Sequence, residues 1–272
     1  QYRTFESSPD VERLAFVPTF GLPGSDQLLA AEAGSDQIPK VPIGRISAIT
    51  PAEVAIYLAK VIQYEQAQQF SSPFIRDRAW LKNAVHVVGA SNANLGAILS
   101  ANMNNYSKII SDTLYGANVS TFSKVSTAPV EQASSVRLQN LFQEGIGLMT
   151  YFGHSSATTL EFNLDNPEAY NNPGKYPVTV VMGCNAGNFF NYNTLRFTTK
   201  ETLSEKFVLA DQRGSIAFIA STHFGIVHYL DILNTRTYNA ASVSHYGKSI
   251  GEILIESFTQ VFNLTTQNDY YA

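Results

Sequence analysis

An α/β fold, a three-layer sandwich with a mostly parallel central sheet and helices on both faces, is what this sequence predicts. Two observations on the residues carry the α/β part of that reading. Short apolar runs alternate with stretches of helical period along most of the 272 residues, the pattern of successive strand–helix–strand units. Three of the runs, at residues 84–88, 147–153 and 178–182, are mostly apolar and bounded by Gly, Pro or polar turns, as strands buried on both faces are. The second of these runs leads into His154 and the third into Cys184. The two lie 30 residues apart, enough for one crossover between parallel neighbours.

Taken in order, residues 1–40 are irregular, punctuated by Pro9, Pro18, Gly21, Pro23, Gly24, Gly34 and Pro39. Within them residues 14–17 read as a strand and 24–29 as a turn or short helix. Residues 41–46 (Val-Pro-Ile-Gly-Arg-Ile) form a short apolar strand carrying one arginine. A helix over 51–68 follows from its start: Thr50 as N-cap, Pro51 at the first helical position and Glu53 at the third. Its apolar positions Val54, Tyr57, Leu58, Val61 and Ile62 repeat with a 3.6 period. After strand 84–88 comes the polar turn Gly89-Ala-Ser-Asn-Ala-Asn-Leu-Gly96, then a helix over 97–114 stopped at Gly116. Residues 119–122 are a strand and 129–143 a helix. Beyond Cys184, residues 202–211 read as a helix, 214–220 as a strand, and 232–242 and 248–262 as helices. The tail 263–272 has no packing signature, so the native chain is expected to continue past it.

Composition excludes several classes of function. An apolar share of 44% with 15% charged residues is that of a globular chain able to bury a substantial core. A net charge of −4 gives no attraction for nucleic acid or an anionic membrane. No apolar run approaches the ~20 residues a membrane-spanning helix needs. No signal peptide opens the chain, and Gln1 is not a natural start, so a mature fragment is expected. The single cysteine excludes an intramolecular disulfide and any multi-cysteine metal site. Few lysines, 14 tyrosines and Asn/Ser/Thr-rich connections suit a secreted or periplasmic protein.

The chemistry concentrates at the ends of two strands. In an open α/β sheet the ligand crevice lies beyond the carboxyl ends of the strands, so His154 and Cys184 would meet there as base and nucleophile. An imidazole facing the thiol draws its proton, and the thiolate attacks carbonyls far better than the thiol. The backbone N–H of Cys184, with one near Ser155, would bind the oxyanion. Gly153 and Gly183 supply backbone support beside the two reactive groups. Ser221-Thr222-His223 follows strand 214–220 and opens on the same edge as a wall of the substrate cleft, as do Asn92 and Asn94. No Gly-x-Ser-x-Gly elbow, Gly-Lys-Ser/Thr phosphate loop or tight Gly-x-Gly turn occurs at the sites such chemistry would need. His223, His228 and Asp231 read as a loop with two unrelated imidazoles rather than a metal site.

The motifs resemble the gingipain-type cysteine peptidases of clan CD, relatives of the caspases. The resemblance runs through Ile38-Pro-Lys-Val-Pro-Ile-Gly-Arg-Ile-Ser47 and the helix ending in Tyr64-Glu65, then Gly147-Leu-Met-Thr-Tyr-Phe-Gly-His154 as the histidine motif and Val180-Val-Met-Gly-Cys-Asn-Ala-Gly-Asn-Phe189 as the cysteine motif. It continues into residues 201–205 and Gly214-Ser-Ile-Ala-Phe-Ile-Ala-Ser-Thr222. It implies the caspase-like sandwich, His154 as general base and acid, Cys184 as nucleophile, and a protein or peptide substrate. It also implies export by the type IX secretion route of Bacteroidetes, a secreted or outer-membrane-associated location, and components of that route as partners. Some relatives act as the sortase of that system. Residues 1–40 would be the end of an N-terminal subdomain, and 41–272 a catalytic domain truncated at its C-terminus. No cofactor is expected, with calcium left open as a structural ion.

Three departures qualify the resemblance. Ser155 stands where the family commonly has glycine after the histidine. Asn92 and Asn94 occupy the turn where an acidic residue supports the histidine in arginine-specific members. Ala101 and Asn102 fall where a second acid receives the substrate arginine. Without that anion a buried cationic side chain lacks its partner, so no preference for Arg is expected. Three functions stay open: a cysteine endopeptidase or sortase-type transpeptidase, a catalytically inactive module with a binding or assembly role in type IX secretion, and a hydrolase of small amides.

Overall fold

A computed structural model of the chain describes residues 17, 21, 23–31, 38–69, 72–112, 114–124, 132–162, 164–189 and 194–264. Its centre is a five-stranded sheet, all parallel, built from β1 (Asn83–Gly89), β2 (Asn118–Lys124), β3 (Leu148–Gly153), β4 (Val178–Met182) and β5 (Ala217–Ala220) in the order β2-β1-β3-β4-β5. The chain runs outward from β1 to β2, then returns across β1 to lay down β3, β4 and β5. The order therefore reverses between β1 and β3, where a crevice opens at the carboxyl ends of a parallel sheet.

Helices cover both faces, and the alternation of side chains along each strand decides which core each residue joins. Val85, Val87, Met149, Tyr151 and Val181 face Leu138 and Phe142 of α3 (Gln132–Glu144) and Phe207 of α4 (Leu203–Leu209). Val88, Phe152, Val180 and Met182 face Leu99, Met103, Tyr106 and Ile110 of α2 (Ala93–Ser111), with Tyr238 of α5 (Val227–Asn239). Phe258 and Val261 of α6 (Ile250–Leu264) pack in turn on Ile232 and Leu233 of α5. The three-layer α/β sandwich is the predicted one. The helices expected at 97–114, 129–143, 202–211, 232–242 and 248–262 all occur, each with shifted ends. The expected strand at 14–17 lies outside the described residues except for Val17, which is a bend.

Two expectations fail at the start of the domain. Residues 41–46 form no strand. Arg45 instead turns to Asp26, with Nε donating to Oδ1 at 2.7 Å, and Nη1 donates to Val17 O at 2.9 Å. The helix α1 (Pro51–Gln69) forms where predicted, and the amide of Glu53 donates to Thr50 Oγ1 as the capping rule requires. Its contact face is not the apolar one. Val54, Leu58 and Ile62 are 48%, 55% and 45% exposed, whereas Glu53 and Lys60 are buried. The reason is what α1 lies against. The last carbonyls of a helix have no intrahelical donor, and Lys60 Nζ donates to Phe207 O at 3.2 Å, Val208 O at 3.0 Å and Ser215 O at 2.9 Å. Tyr57 OH donates to Ile216 O at 3.1 Å. The end of α4 and the approach to β5 present acceptors, and donors on α1 meet them.

Candidate active site

His154 directly follows β3 and Cys184 lies two residues past β4, and these strands are hydrogen-bonded parallel neighbours. The fold thus brings the two predicted reactive residues to one edge of the sheet. Gly153 is required by proximity to the next strand, since a Cβ there would lie 2.1 Å from Gly89 O. The turn after it is held by main chain and by Tyr151. The amide of His154 donates to Gly89 O at 3.0 Å, and its carbonyl accepts from the Tyr151 hydroxyl and from Glu161 N at 3.1 Å. Tyr151 OH also accepts from Glu161 N at 3.0 Å. Burial pushes this phenol well above its usual range, so it stays a neutral donor.

The imidazole of His154 is exposed, with Nε2 3.3 Å from Ser91 Oγ. Ser91 lies just past β1, on the other side of the switch point. A neutral hydroxyl therefore stands behind the imidazole, leaving Nδ1 as the ring atom with no hydrogen-bond partner among the described residues. The thiol of Cys184 is half-buried, and Gly225 attends both of its protonation states. The Gly225 amide lies 3.4 Å from Sγ as a donor for the thiolate, and Gly225 O lies 3.8 Å away as an acceptor for the thiol. No hydrogen bond joins thiol and imidazole directly.

The turn that carries Cys184 is tightly specified. Asn185 has φ 58°, a left-handed conformation that Asn tolerates better than most residues. Its amide donates to His223 O at 2.8 Å, and that of Gly187 to Ser221 O at 2.9 Å. The loop after β5 is thereby stitched to the nucleophile turn, and Ser221, Thr222 and His223 do reach the reactive edge. Ser221 Oγ donates to Gly183 O, and Ser155 Oγ donates to Cys184 O at 2.8 Å. The amides of Ser155 and Cys184 donate to no acceptor among the described residues. Two N–H groups beside a nucleophile, left without partners, are what an oxyanion site requires.

The other predicted residues have partners of their own. Asn92 caps α2, its side chain accepting from Leu95 N at 3.0 Å, and Asn94 is exposed on that helix's first turn. The Thr222 hydroxyl donates to Gly24 O at 2.7 Å, and the His223 ring meets Phe224 edge-on at 4.7 Å. Asp231 accepts from Tyr106 OH at 2.6 Å. No three His, Cys, Asp or Glu side chains converge to hold a metal ion among the described residues. Among the described residues no helix is long and apolar enough to cross a membrane.

Sequence reasoning missed Ser91, Tyr151, Gly225, Phe224 and Ile226. Phe224 and Ile226 are 71% and 58% exposed and flank the glycine that touches the sulfur. Only the register of the strands, which pairs Gly89 with Gly153, reveals that Ser91 and His154 are neighbours.

Among curated proteins no match was found. Among solved structures, the chain is similar to the complex of Porphyromonas gingivalis RgpB pro- and mature domains, with a TM-score of 0.67 and 18% identity. That match covers 91% of this chain and 57% of the other. A second structure, described only as a protease, matches with a TM-score of 0.68 and 17% identity over 91% of this chain and 56% of its own. The chain thus spans little more than half the length of these structures, and the likeness is one of fold. A family model matches residues 2–272, nearly the whole chain, and by that match the protein belongs to peptidase family C25, the gingipain family.

Proposed function

We propose that this protein is a cysteine peptidase in which Cys184 is the nucleophile and His154 the general base and acid. The observation that carries the reading is the pairing of a thiol and an imidazole at the carboxyl ends of adjacent parallel strands, beside two backbone N–H groups that meet no acceptor among the described residues. His154 takes the proton of the Cys184 thiol, and the sulfur attacks the peptide carbonyl. The carbonyl electron pair moves onto oxygen, which the amides of Cys184 and Ser155 receive. As the tetrahedral species collapses, the C–N bond breaks and His154 protonates the leaving amine. Water, or an acceptor amine in a transpeptidation, then attacks the thioester and regenerates the thiol.

The substrate is a protein or peptide, and arginine is not preferred beside the scissile bond. Ala101 and Asn102 offer no carboxylate, and Asp26, which approaches the cleft wall through Gly24 and Thr222, is paired with Arg45. The wall itself presents Phe224 and Ile226, which favour an apolar side chain. As a gingipain relative the protein acts outside the cell or at its surface, by the type IX route. A thiol-reactive peptidyl electrophile tests the site: it should modify Cys184 in the wild type and not in His154→Ala. Equal modification of both removes His154 from the mechanism.

One feature favours a second reading, a catalytically silent module with an assembly role. The imidazole is backed by the neutral Ser91 rather than by a carboxylate, and it makes no hydrogen bond to the thiol. An unreactive Cys184 in the same labelling experiment would support that reading.

A further inference from the structure

Two serine hydroxyls grip the main chain on either side of the nucleophile. Ser221 Oγ donates to Gly183 O, and Ser155 Oγ donates to Cys184 O at 2.8 Å. A peptide unit is planar and trans, so its carbonyl and its N–H point in opposite directions. Holding the Gly183 carbonyl on Ser221 therefore turns the Cys184 N–H the other way, and that N–H meets no acceptor among the described residues. Holding the Cys184 carbonyl on Ser155 fixes the next peptide plane, whose N–H at Asn185 is already spent on His223 O at 2.8 Å. The backbone has little room to relax, because a Cβ at position 183 would lie 2.1 Å from Ser155 Oγ and 2.6 Å from Gly153 O.

We propose that Ser221 and Ser155 are positioning residues of the oxyanion site, which aim the Cys184 N–H at the oxygen that gains charge during acyl transfer. This inference rests on the peptidase reading above. It gives Ser155 a task that the glycine common in the family at this position cannot perform. It also moves Ser221 from the wall of the substrate cleft to the support of the nucleophile. Preorganised donors accelerate only steps in which charge develops at the atom they face. Removing either hydroxyl should therefore slow acyl transfer to Cys184 and spare a reaction at the same sulfur that forms no oxyanion.

Two small reagents separate the cases without knowledge of the natural substrate. With 4-nitrophenyl acetate the sulfur attacks the carbonyl carbon and the electron pair moves onto oxygen. Collapse then expels 4-nitrophenolate and leaves an S-acetyl thioester. With iodoacetamide the sulfur displaces iodide from a saturated carbon, and no oxyanion forms. Ser221→Ala and Ser155→Ala should each acylate ~10- to 100-fold more slowly, below the loss seen when a donor itself is removed. Alkylation should stay within about twofold of wild type, and Ser221→Thr, which keeps the hydroxyl, should recover most of the acylation rate. If both rates fall together, the serines only hold Cys184 in place and the inference is overturned. If neither falls, the N–H is aimed without them and it is overturned as well. Should Ser221→Ala not fold, Ser155→Ala decides alone. A wild type that acylates no faster than Cys184→Ala instead removes the peptidase reading, and the inference with it.

Discussion

At the scale of single residues, Asn185 and Lys60 show how side-chain chemistry secures a backbone shape. The chain turns sharply after the nucleophile, and Asn185 absorbs the turn at φ 58°. A β-branched residue in that conformation costs about 1–2 kcal/mol. Asn185→Val should therefore lower thermal stability and slow Cys184 chemistry, while Asn185→Gly should change stability by less than about 1 kcal/mol, as denaturant titration would read. Lys60 is buried against three carbonyls, with its ammonium 4.9 Å from the centre of the Tyr176 ring. Burial pushes it down to about 7, and only the nearby Asp211 opposes that shift. Lys60→Met would keep the packing and leave Val208 O and Ser215 O without this donor, while Phe207 O keeps the Ser215 amide, a loss on the order of 3 kcal/mol in unfolding free energy. His154 and Cys184 were legible in the sequence, because reactive side chains stood at the ends of apolar strands. Ser91 was not, because its meeting with His154 depends on the pairing of β1 with β3. Asn92, beside it, is spent on capping a helix.

At the scale of elements, the segment after the nucleophile turn is tied down by one arginine. Arg196 lies in the helical turn Thr194–Phe197, with Nη1 and Nη2 donating to the two carboxylate oxygens of Glu53 at 2.9 and 3.0 Å and Nε donating to Glu205 Oε1 at 2.8 Å. Glu53 also accepts from Ile49 N at 2.7 Å, and Glu205 from Thr202 Oγ1 at 2.6 Å. Burial alone would raise the Glu53 carboxyl, yet the hydrogen bonds from Arg196 and Ile49 hold it below the usual carboxylate range. The first turns of α1 and α4 and the stretch that follows Cys184 are thereby joined. Arg196→Met removes the cation that two buried carboxylates share, with only the more distant Lys200 ammonium, 3.7 Å from Glu53 Oε1, still beside Glu53, and should cost about 3–5 kcal/mol in chemical denaturation. Glu53 in this network, with Lys60 on its three carbonyls, explains why the contact face of α1 departs from its apolar period. Its apolar period was real, but Glu53 and Lys60 found fixed partners, and Val54, Leu58 and Ile62 were left outside. The face of α2 was legible by contrast, since Leu99, Met103, Tyr106 and Ile110 meet an apolar sheet.

At the scale of the whole molecule, one polar group sits within the apolar layer between the sheet and α5. His86 of β1 is fully buried, its Nε2 2.8 Å from Tyr238 OH, and that hydroxyl lies 2.7 Å from Thr150 Oγ1. Burial drives the imidazole down to about 4. The unfolded chain titrates near 6.5, so below that pH it binds a proton the native state refuses. The stability from a neutral His86 is complete above about 6.5 and is lost as pH falls toward 4, by about 3 kcal/mol in all. Urea midpoints between pH 7 and 4 should follow that slope, and His86→Gln should flatten it. A wild-type midpoint independent of pH over this range would show that His86 does not govern acid unfolding.

The α/β class was legible across the whole chain because the alternation of strands and helices survives every local misreading. The order β2-β1-β3-β4-β5 was not, because it follows from which apolar faces find each other. That order sets His154 beside Cys184, and the central claim is that this pair cleaves peptide bonds. The direct measurement is the cleavage profile of a peptide library with wild type, Cys184→Ala and His154→Ala. The account predicts cleavage by wild type without preference for Arg, and a loss of at least about a thousandfold in both variants. Cleavage that persists in Cys184→Ala, or that occurs chiefly after Arg, would contradict it.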